Sequence, residues 1–346
     1  MALANITPIL HNVQFSISAS RVICRSRSIR FRSSKIQSYP TPQHHRHRVH
    51  LLFGANTDVG KSIISTGLVR AAANVSSISS SVNYIKPLQC GGSDESFVLS
   101  QQHTNTKNAN DINCKTLFRW ETPASPHLVS RWENQPVSDN EVLSSLQSTL
   151  RHIENEDNND CTNFSSNDMK SSITIIETAG GVLSPSSSSP LNESSTENHW
   201  GWSTQADLYS SLHIPVIFVG DGRLGGISVT IASLESLWSR GYQIDAVVFI
   251  ESASNEEHNV TNDNGCEGSG DDIQFGKGNA EALREYIRMQ MQLHNSELSI
   301  GNLDDDKSII CLPSLPPMPQ PLDDWYESNQ DEFQKLHHLL SKRLTR

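Results

Sequence analysis

No apolar run in this 346-residue chain approaches the roughly 18 residues that cross a bilayer, which excludes a membrane-spanning helix. The six cysteines, Cys24, Cys90, Cys114, Cys161, Cys266 and Cys311, are scattered and form no CxxC pair. That excludes zinc-type spacing and a disulfide framework, and it fits a reducing compartment. Aromatic residues are only 6% of the chain and charged residues 19%, which fits neither a coiled coil nor collagen but a globular protein diluted by polar filler. Acid is absent from the first fifty residues, and the first carboxylate of the chain is Asp58.

That same segment carries eight basic residues: Arg21, Arg25, Arg27, Arg30, Arg32, Lys35, Arg46 and Arg48. Setting them aside leaves 19 basic residues against 38 acidic ones, a balance of −19 for the body. An Arg- and Ser-rich leader without acid, and without a secretory apolar core, reads as an organelle transit peptide over 1–48. The mitochondrion is the first expectation and the plastid the second. A basic arm for nucleic acid is the competing reading, but a body of −19 would be repelled by phosphate backbones.

From Val49 the pattern changes. Strand-like Val/Ile runs occur at Val49–Phe53, Val82–Ile85, Ile173–Ile176, Pro215–Val219, Ala246–Ile250 and Ser308–Leu312. Helical stretches alternate with them at Lys61–Ala73, Asn140–His152, Thr204–Leu212, Ile227–Ser239 and Asn279–His294. Continuous apolar strands alternating with helices predict an α/β fold, one parallel sheet covered on both faces, over about residues 49–322. Three Ser/Asn/Asp/Glu-rich stretches, Glu154–Ser172, Ser184–His199 and Ser252–Gln274, hold too little apolar surface to offset ordering entropy and read as loop insertions. The tail 323–346 has an amphipathic pattern at Phe333, Leu336, Leu339 and Leu340. It could pack on the domain, pair between subunits or lead into a further domain.

The segment Gly54-Ala-Asn-Thr-Asp-Val-Gly60-Lys61-Ser62 follows a strand and opens a helix, the context in which a P-loop cradles phosphates. Backbone N–H groups and the helix dipole favour negative charge there, Lys61 would reach the β- and γ-phosphates, and the Ser62 hydroxyl would ligate Mg²⁺. The strict pattern has glycine where this chain has Ala55. Glu177, ending the run Ile173–Ile176 before Ala179-Gly180-Gly181, is a candidate metal carboxylate, because an acid there is costly unless a cation compensates. Asp94 and Glu95 are further candidates, in a loop. Lys86, at the end of the second strand, would face the crevice where ligands bind, as a second cation for an anionic acceptor. Gly220-Asp-Gly-Arg-Leu-Gly-Gly226 opens another helix and suits a carboxylate or is simply a glycine turn. His127, next to Pro126, is more often structural than catalytic.

Taken in order, GANTDVGKS, KPLQCGG, ETPASPHL, ETAGG and IPVIFVGDGRLGGIS resemble the dethiobiotin synthetase family over about residues 49–322. The basic leader and the Leu-Pro-Ser-Leu-Pro-Pro segment are most similar to the amino-terminal synthetase part of the plant bifunctional form, which also carries diaminopelargonic acid aminotransferase. The resemblance implies a P-loop NTPase-like fold and the ATP- and Mg²⁺-dependent closure of 7,8-diaminopelargonate and CO₂ to a cyclic urea, in a homodimer without nucleic-acid or membrane partners. It implies phosphate and nucleotide contacts from Asp58, Val59, Gly60, Lys61, Ser62, Ile63, Ala179 and Gly180, and metal ligation by Ser62, Asp94 and Glu177. Lys86 and Lys61 would be the catalytic lysines. Substrate contacts fall on Cys90, Gly222, Leu224, Gly225 and Gly226, the last four across the dimer interface.

Three departures stand beside this resemblance. Cys90 replaces the family's usual Ser or Thr, and a thiol is a weaker donor. The adenine-reading Asn-Asp pair is not recognisable near Glu251–Ser252. The sequence also stops where the aminotransferase of the bifunctional form would begin, so no aminotransferase activity is expected from it. The competing classes are a P-loop switch ATPase of the partitioning or metal-chaperone type, whose extra lysine near the start of the loop is not found in Gly54-Ala-Asn-Thr, and an inactive truncated synthetase.

Overall fold

Strands that are apolar on both sides belong between two helical layers, and β1 (Arg46–Gly54) shows why. Leu51 and Phe53 bury into one layer while Leu52, between them, buries into the other. The computed structural model describes residues 46–75, 81–102, 112–159, 171–186, 203–252, 274–293, 303, 306–317 and 321–342. The leader expected over 1–48 lies outside these residues except for its last three, and so does most of each polar insertion. Among the described residues β1 is joined by β2 (Val82–Cys90), β3 (Ile112–Trp120), β4 (Ser171–Glu177), β5 (Val216–Val219), β6 (Ile244–Ile250) and β7 (Ile309–Leu312). They form one sheet in the order β3-β2-β4-β1-β5-β6-β7, with every pairing parallel.

Helices cover both faces. On the first face α3 (Pro126–Trp132), α4 (Asp139–Asn159), α5 (Gln205–Tyr209), α6 (Gly226–Trp238) and α7 (Phe275–Leu293) contribute Val129, Leu146, Leu208, Leu237 and Leu283 to one core. On the second, α1 (Lys61–Val75), α2 (Asp94–Ser100), α8 (Asp323–Ser328) and α9 (Gln330–Lys342) contribute Leu68, Val98, Trp325 and Phe333 to another. Burying each such large side chain contributes about 1.5–3 kcal/mol. The architecture is thus a P-loop NTPase-like α/β fold. Since β4 inserts between β1 and β2, the carboxyl ends of these three strands lie side by side.

Several local expectations are corrected. β3 was not foreseen: it is an edge strand whose Asn113, Lys115 and Arg119 are exposed, so its sequence lacks a continuous apolar run. β2 runs on to Cys90 rather than stopping at Ile85. Its pairing with β4 ends at Ile85, so Pro87 sits where one flank of the strand has no ladder to supply. Asp94 and Glu95 open α2 rather than a loop, with Ser93 as N-cap accepting from the Ser96 N–H. α4 continues to Asn159, six residues into the first polar stretch.

The tail packs on the second face. Phe333, Leu336 and Leu340 are buried, and the Phe333 ring fills a notch at Gly67 of α1, where an added Cβ would lie 2.2 Å from it. The Tyr326 hydroxyl donates to the Ile63 carbonyl at 3.2 Å, and Arg70 of α1 lies 4.8 Å over the Tyr326 ring while pairing with Asp323 at 3.1 Å. The first turns of the P-loop helix are therefore braced by the chain's last helices.

This docking has a pH signature. His337 of α9 is pushed down to about 4 by burial, and further by the nearby Arg48, His338 and His50. The unfolded imidazole titrates near 6.5, so between these values the unfolded chain binds a proton that the folded chain refuses. Stability is full above about pH 6.5 and falls as pH drops toward 4. Urea midpoints taken at about pH 7.5 and about pH 5 should drop less for His337→Leu than for the native chain. Equal drops would assign the acid response to other groups.

Candidate nucleotide and substrate site

The loop after β1 is shaped by backbone conformations that few residues accept. Asp58 has φ 58° and Gly60 φ 94°, and a Cβ on Gly60 would lie 2.5 Å from Ile250 Cδ1. The turn can therefore press against β6 and deliver Lys61 and Ser62 as the first residues of α1. Lys61 is 8% exposed and donates to the Asn56 carbonyl at 3.2 Å. Burial pulls its ammonium down to about 8, and neighbouring Lys86 acts in the same direction against the acids around it.

Glu177, at the carboxyl end of β4, is 1% exposed and has both oxygens occupied. Oε1 accepts from Ser62 Oγ at 2.8 Å and from Lys86 Nζ at 2.8 Å; Oε2 accepts from Ser65 Oγ at 2.7 Å and from the Tyr84 hydroxyl at 3.1 Å. Burial alone would raise this carboxyl, but Lys86 first, then the Ser65 hydroxyl and the Lys61 charge, hold it below the usual range. Lys86 also pairs with Asp94 Oδ2 at 2.6 Å and reaches the Thr178 carbonyl at 3.4 Å. Burial would lower its ammonium, but the two carboxylates hold it above the ordinary value. Asp94 is positioned by its place at the start of α2 and by its own N–H, which donates to Gln89 Oε1 at 3.2 Å.

These groups open into one cleft of about 1150 Å³. Its walls bring together Asp58 to Ile63, Lys86, Cys90, Asp94, Glu177, Ala179, Gly180 and Gly222, although they come from five segments of the chain. Leu224, Gly225 and Gly226 are not on that surface: Leu224 is 79% exposed beyond it, and Gly225 is the N-cap of α6. Glu95 and His127 do not line it either, and His127 Nδ1 is 2.9 Å from Ser125 Oγ. The Cys90 thiol, half-buried in the wall, is pushed up to about 12 by burial and stays protonated at neutral pH.

Further groups of the site carry no motif in the sequence reading. Ser65 lies one helical turn from Ser62, and Tyr84 lies two residues before Lys86 on the same strand face, so both periodicities pointed at Glu177. Asp221 and Arg223 form a two-pronged pair at 2.8 and 2.7 Å in the cleft wall, and Asn279 of α7 donates to both their carbonyls at 2.9 and 3.0 Å. Glu251, where adenine-reading residues were sought, instead accepts from the Gly276 and Lys277 N–H groups at 2.7 and 3.0 Å, at the start of α7.

The donor set fits a magnesium-bearing nucleotide. The available ligands are oxygens only, namely the Ser62 hydroxyl and the Glu177 and Asp94 carboxylates, and a buried lysine faces the phosphate cradle. Among the described residues no cluster of three or more His, Cys, Asp or Glu side chains could hold a metal unaided. A hard cation here would complete its shell with water and phosphate oxygens.

Fold and site together define a P-loop nucleotide-binding domain. A family model described as an AAA domain matches residues 48–292, and the chain belongs to that family, as a dethiobiotin-synthetase-like member. It is 32% identical over 286 residues to the mitochondrial bifunctional dethiobiotin synthetase/7,8-diamino-pelargonic acid aminotransferase of Arabidopsis thaliana, covering 68% of this chain and 31% of that protein. It is 26% identical over 219 residues to the ATP-dependent dethiobiotin synthetase BioD of Agrobacterium fabrum, covering 62% of this chain and 81% of that one. The chain spans only 23% to 33% of the length of the bifunctional relatives it matches. Among solved structures, the pNOB8 ParA bound to nonspecific DNA covers 86% of this chain and 98% of its own at TM-score 0.42 and 11% identity, a likeness that says nothing about function.

Proposed function

We propose that this chain is a cyclo-ligase that carboxylates 7,8-diaminopelargonate with CO₂ and closes it to dethiobiotin, with ATP hydrolysed to ADP and phosphate. One amine takes up CO₂ as a carbamate. A carbamate oxygen attacks the γ-phosphorus, ADP leaves, and a carbamic–phosphoric anhydride remains. The second amine attacks the carbonyl, the ring closes and phosphate departs. The observation that carries this reading is Lys86, a second buried cation across Glu177 from the P-loop lysine, in a cleft large enough for a nucleotide and a diamine together.

In this reading the N–H groups of Asp58 to Ile63 hold the phosphates and Lys61 binds their outer oxygens. Ser62, Asp94 and Glu177 hold Mg²⁺, which when bound neutralises phosphate charge. Lys86 stabilises the carbamate and the transferring phosphoryl group. Ala179 and Gly180 contribute backbone at the nucleotide and Cys90 lies against the diamine. Gly222 to Gly226 take the substrate carboxylate across a homodimer interface, which accounts for Leu224 standing clear of the cleft. The acid-free leader and the mitochondrial relatives support import into the mitochondrion.

The test is the full chain with the diamine, bicarbonate and MgATP, followed by mass spectrometry for the cyclic urea and by phosphate release with and without diamine. Diamine-dependent phosphate and the urea product are expected. ATP binding with diamine-independent hydrolysis would favour a switch ATPase; no ATP binding would favour an inactive synthetase. Cys90→Ser is expected to leave kcat unchanged and to keep or lower the KM for the diamine, because a hydroxyl donates more strongly than a protonated thiol. A large loss of kcat would give the sulfur a role of its own.

A further inference from the structure

Lys86 makes two close carboxylate contacts in the cleft, and both fall on the oxygens assigned above to the metal. Its Nζ lies 2.6 Å from Asp94 Oδ2 and 2.8 Å from Glu177 Oε1, the same Oε1 that accepts from Ser62 Oγ. Glu177 cannot offer a fresh atom by rotating, because Oε2 is held by Ser65 and Tyr84. Lys86 is itself 5% exposed, so water does little to screen it. An ammonium and a divalent ion sharing this set would sit within one coordination shell of each other, at a distance where like charges repel strongly.

We propose that the Lys86 ammonium and the divalent cation occupy this oxygen set alternately, so that Lys86 leaves Asp94 and Glu177 for the open cleft as the metal binds. The exchange rests on the metal assignment made under the proposed function, and it gives that reading an order of events. Lys86 keeps two inward-facing carboxylates compensated before loading and meets the carbamate only once the nucleotide's metal is seated. Its side chain has somewhere to go: it lines the same cleft as Cys90 and Gly92, which follow it on β2 and the turn after it.

The test uses Mn²⁺ as probe, with neither nucleotide nor diamine. Followed by the electron paramagnetic resonance of free Mn²⁺, Lys86→Met should bind the ion at least about tenfold more tightly than the native full chain, since the competing charge is gone. Mg²⁺ should also raise the melting temperature of Lys86→Met more than that of the native chain. A second measurement needs no variant. Saturating Mg²⁺ should speed modification of Lys86 in the native protein by an amine-directed acylating reagent, read peptide by peptide in a mass spectrometer. Equal Mn²⁺ affinities in folded proteins, or Lys86 labelling that is unchanged or slowed by Mg²⁺, would overturn the exchange. None of these readouts involves dethiobiotin, so the exchange can fail while the cyclic urea still forms, and the reverse.

Discussion

Lys61→Ala is expected to lose MgATP affinity by on the order of 10²–10³-fold, whereas Lys86→Ala keeps the nucleotide and loses turnover. The two lysines differ in what surrounds them. Lys61 starts α1, touches a neutral carbonyl and is drawn down to about 8, by burial first and by Lys86 beside it. It is an incompletely compensated cation, so an arriving phosphate gains its charge-assisted hydrogen bonds at little cost elsewhere. Removing it forfeits about 1.5–3 kcal/mol for each such bond. Lys86 is paired with Glu177 and Asp94 before the metal and nucleotide load, so its loss does not weaken ground-state nucleotide binding. What disappears is a cation at developing negative charge, and kcat should fall by about 10²–10³. Calorimetry with MgADP and single-turnover phosphate release separate the two effects. Equal loss of nucleotide affinity in both variants would merge the roles.

Glu177→Leu is expected to destabilise the fold by about 3–5 kcal/mol, although the new side chain suits the end of an apolar strand. The carboxylate accepts four hydrogen bonds at 1% exposure. Without it Ser62, Ser65 and Tyr84 lose an acceptor, and the buried Lys86 keeps Asp94, at the more open end of its reach, as its one carboxylate, beside the Thr178 carbonyl. The loss reflects stranded partners more than the value of the ion pair itself, which also had to overcome desolvation. The double variant Lys86→Met/Glu177→Leu should therefore recover part of the deficit of Glu177→Leu. Urea unfolding measures both, provided the m-value is unchanged. A single-variant loss under about 1 kcal/mol would mean that water reaches Glu177 and replaces its partners.

Much of the fold was legible because buried parallel strands have a simple signature. β1, β4, β5 and β6 are Val/Ile/Leu/Phe runs with helices between them, and burial on both sides is what makes them continuous. β3 lacked that signature because it is an edge strand with three charged or polar residues facing water. α2 is only seven residues long, too short for a helical period to emerge. The extension of β2 past Pro87 depends on where the β4 pairing stops, and nothing local to Pro87 records that.

The site divides in the same way. The sequence alone determined which residues have the chemistry: a glycine loop before Lys61 and Ser62, an acid ending an apolar strand at Glu177, and a lysine on a neighbouring strand. Chemical type and spacing along one strand or one turn are local properties, and a chain displays them before it folds. Only the tertiary structure decided that Lys86 reaches Asp94 and Glu177, that Ser65 and Tyr84 hold the far oxygen, and that Leu224 stands outside the cleft. It also decided that α9 braces the P-loop helix through Phe333 and Gly67. Those contacts join residues up to 266 positions apart, and their distances are set by strand order and helix packing, which no stretch of sequence contains by itself.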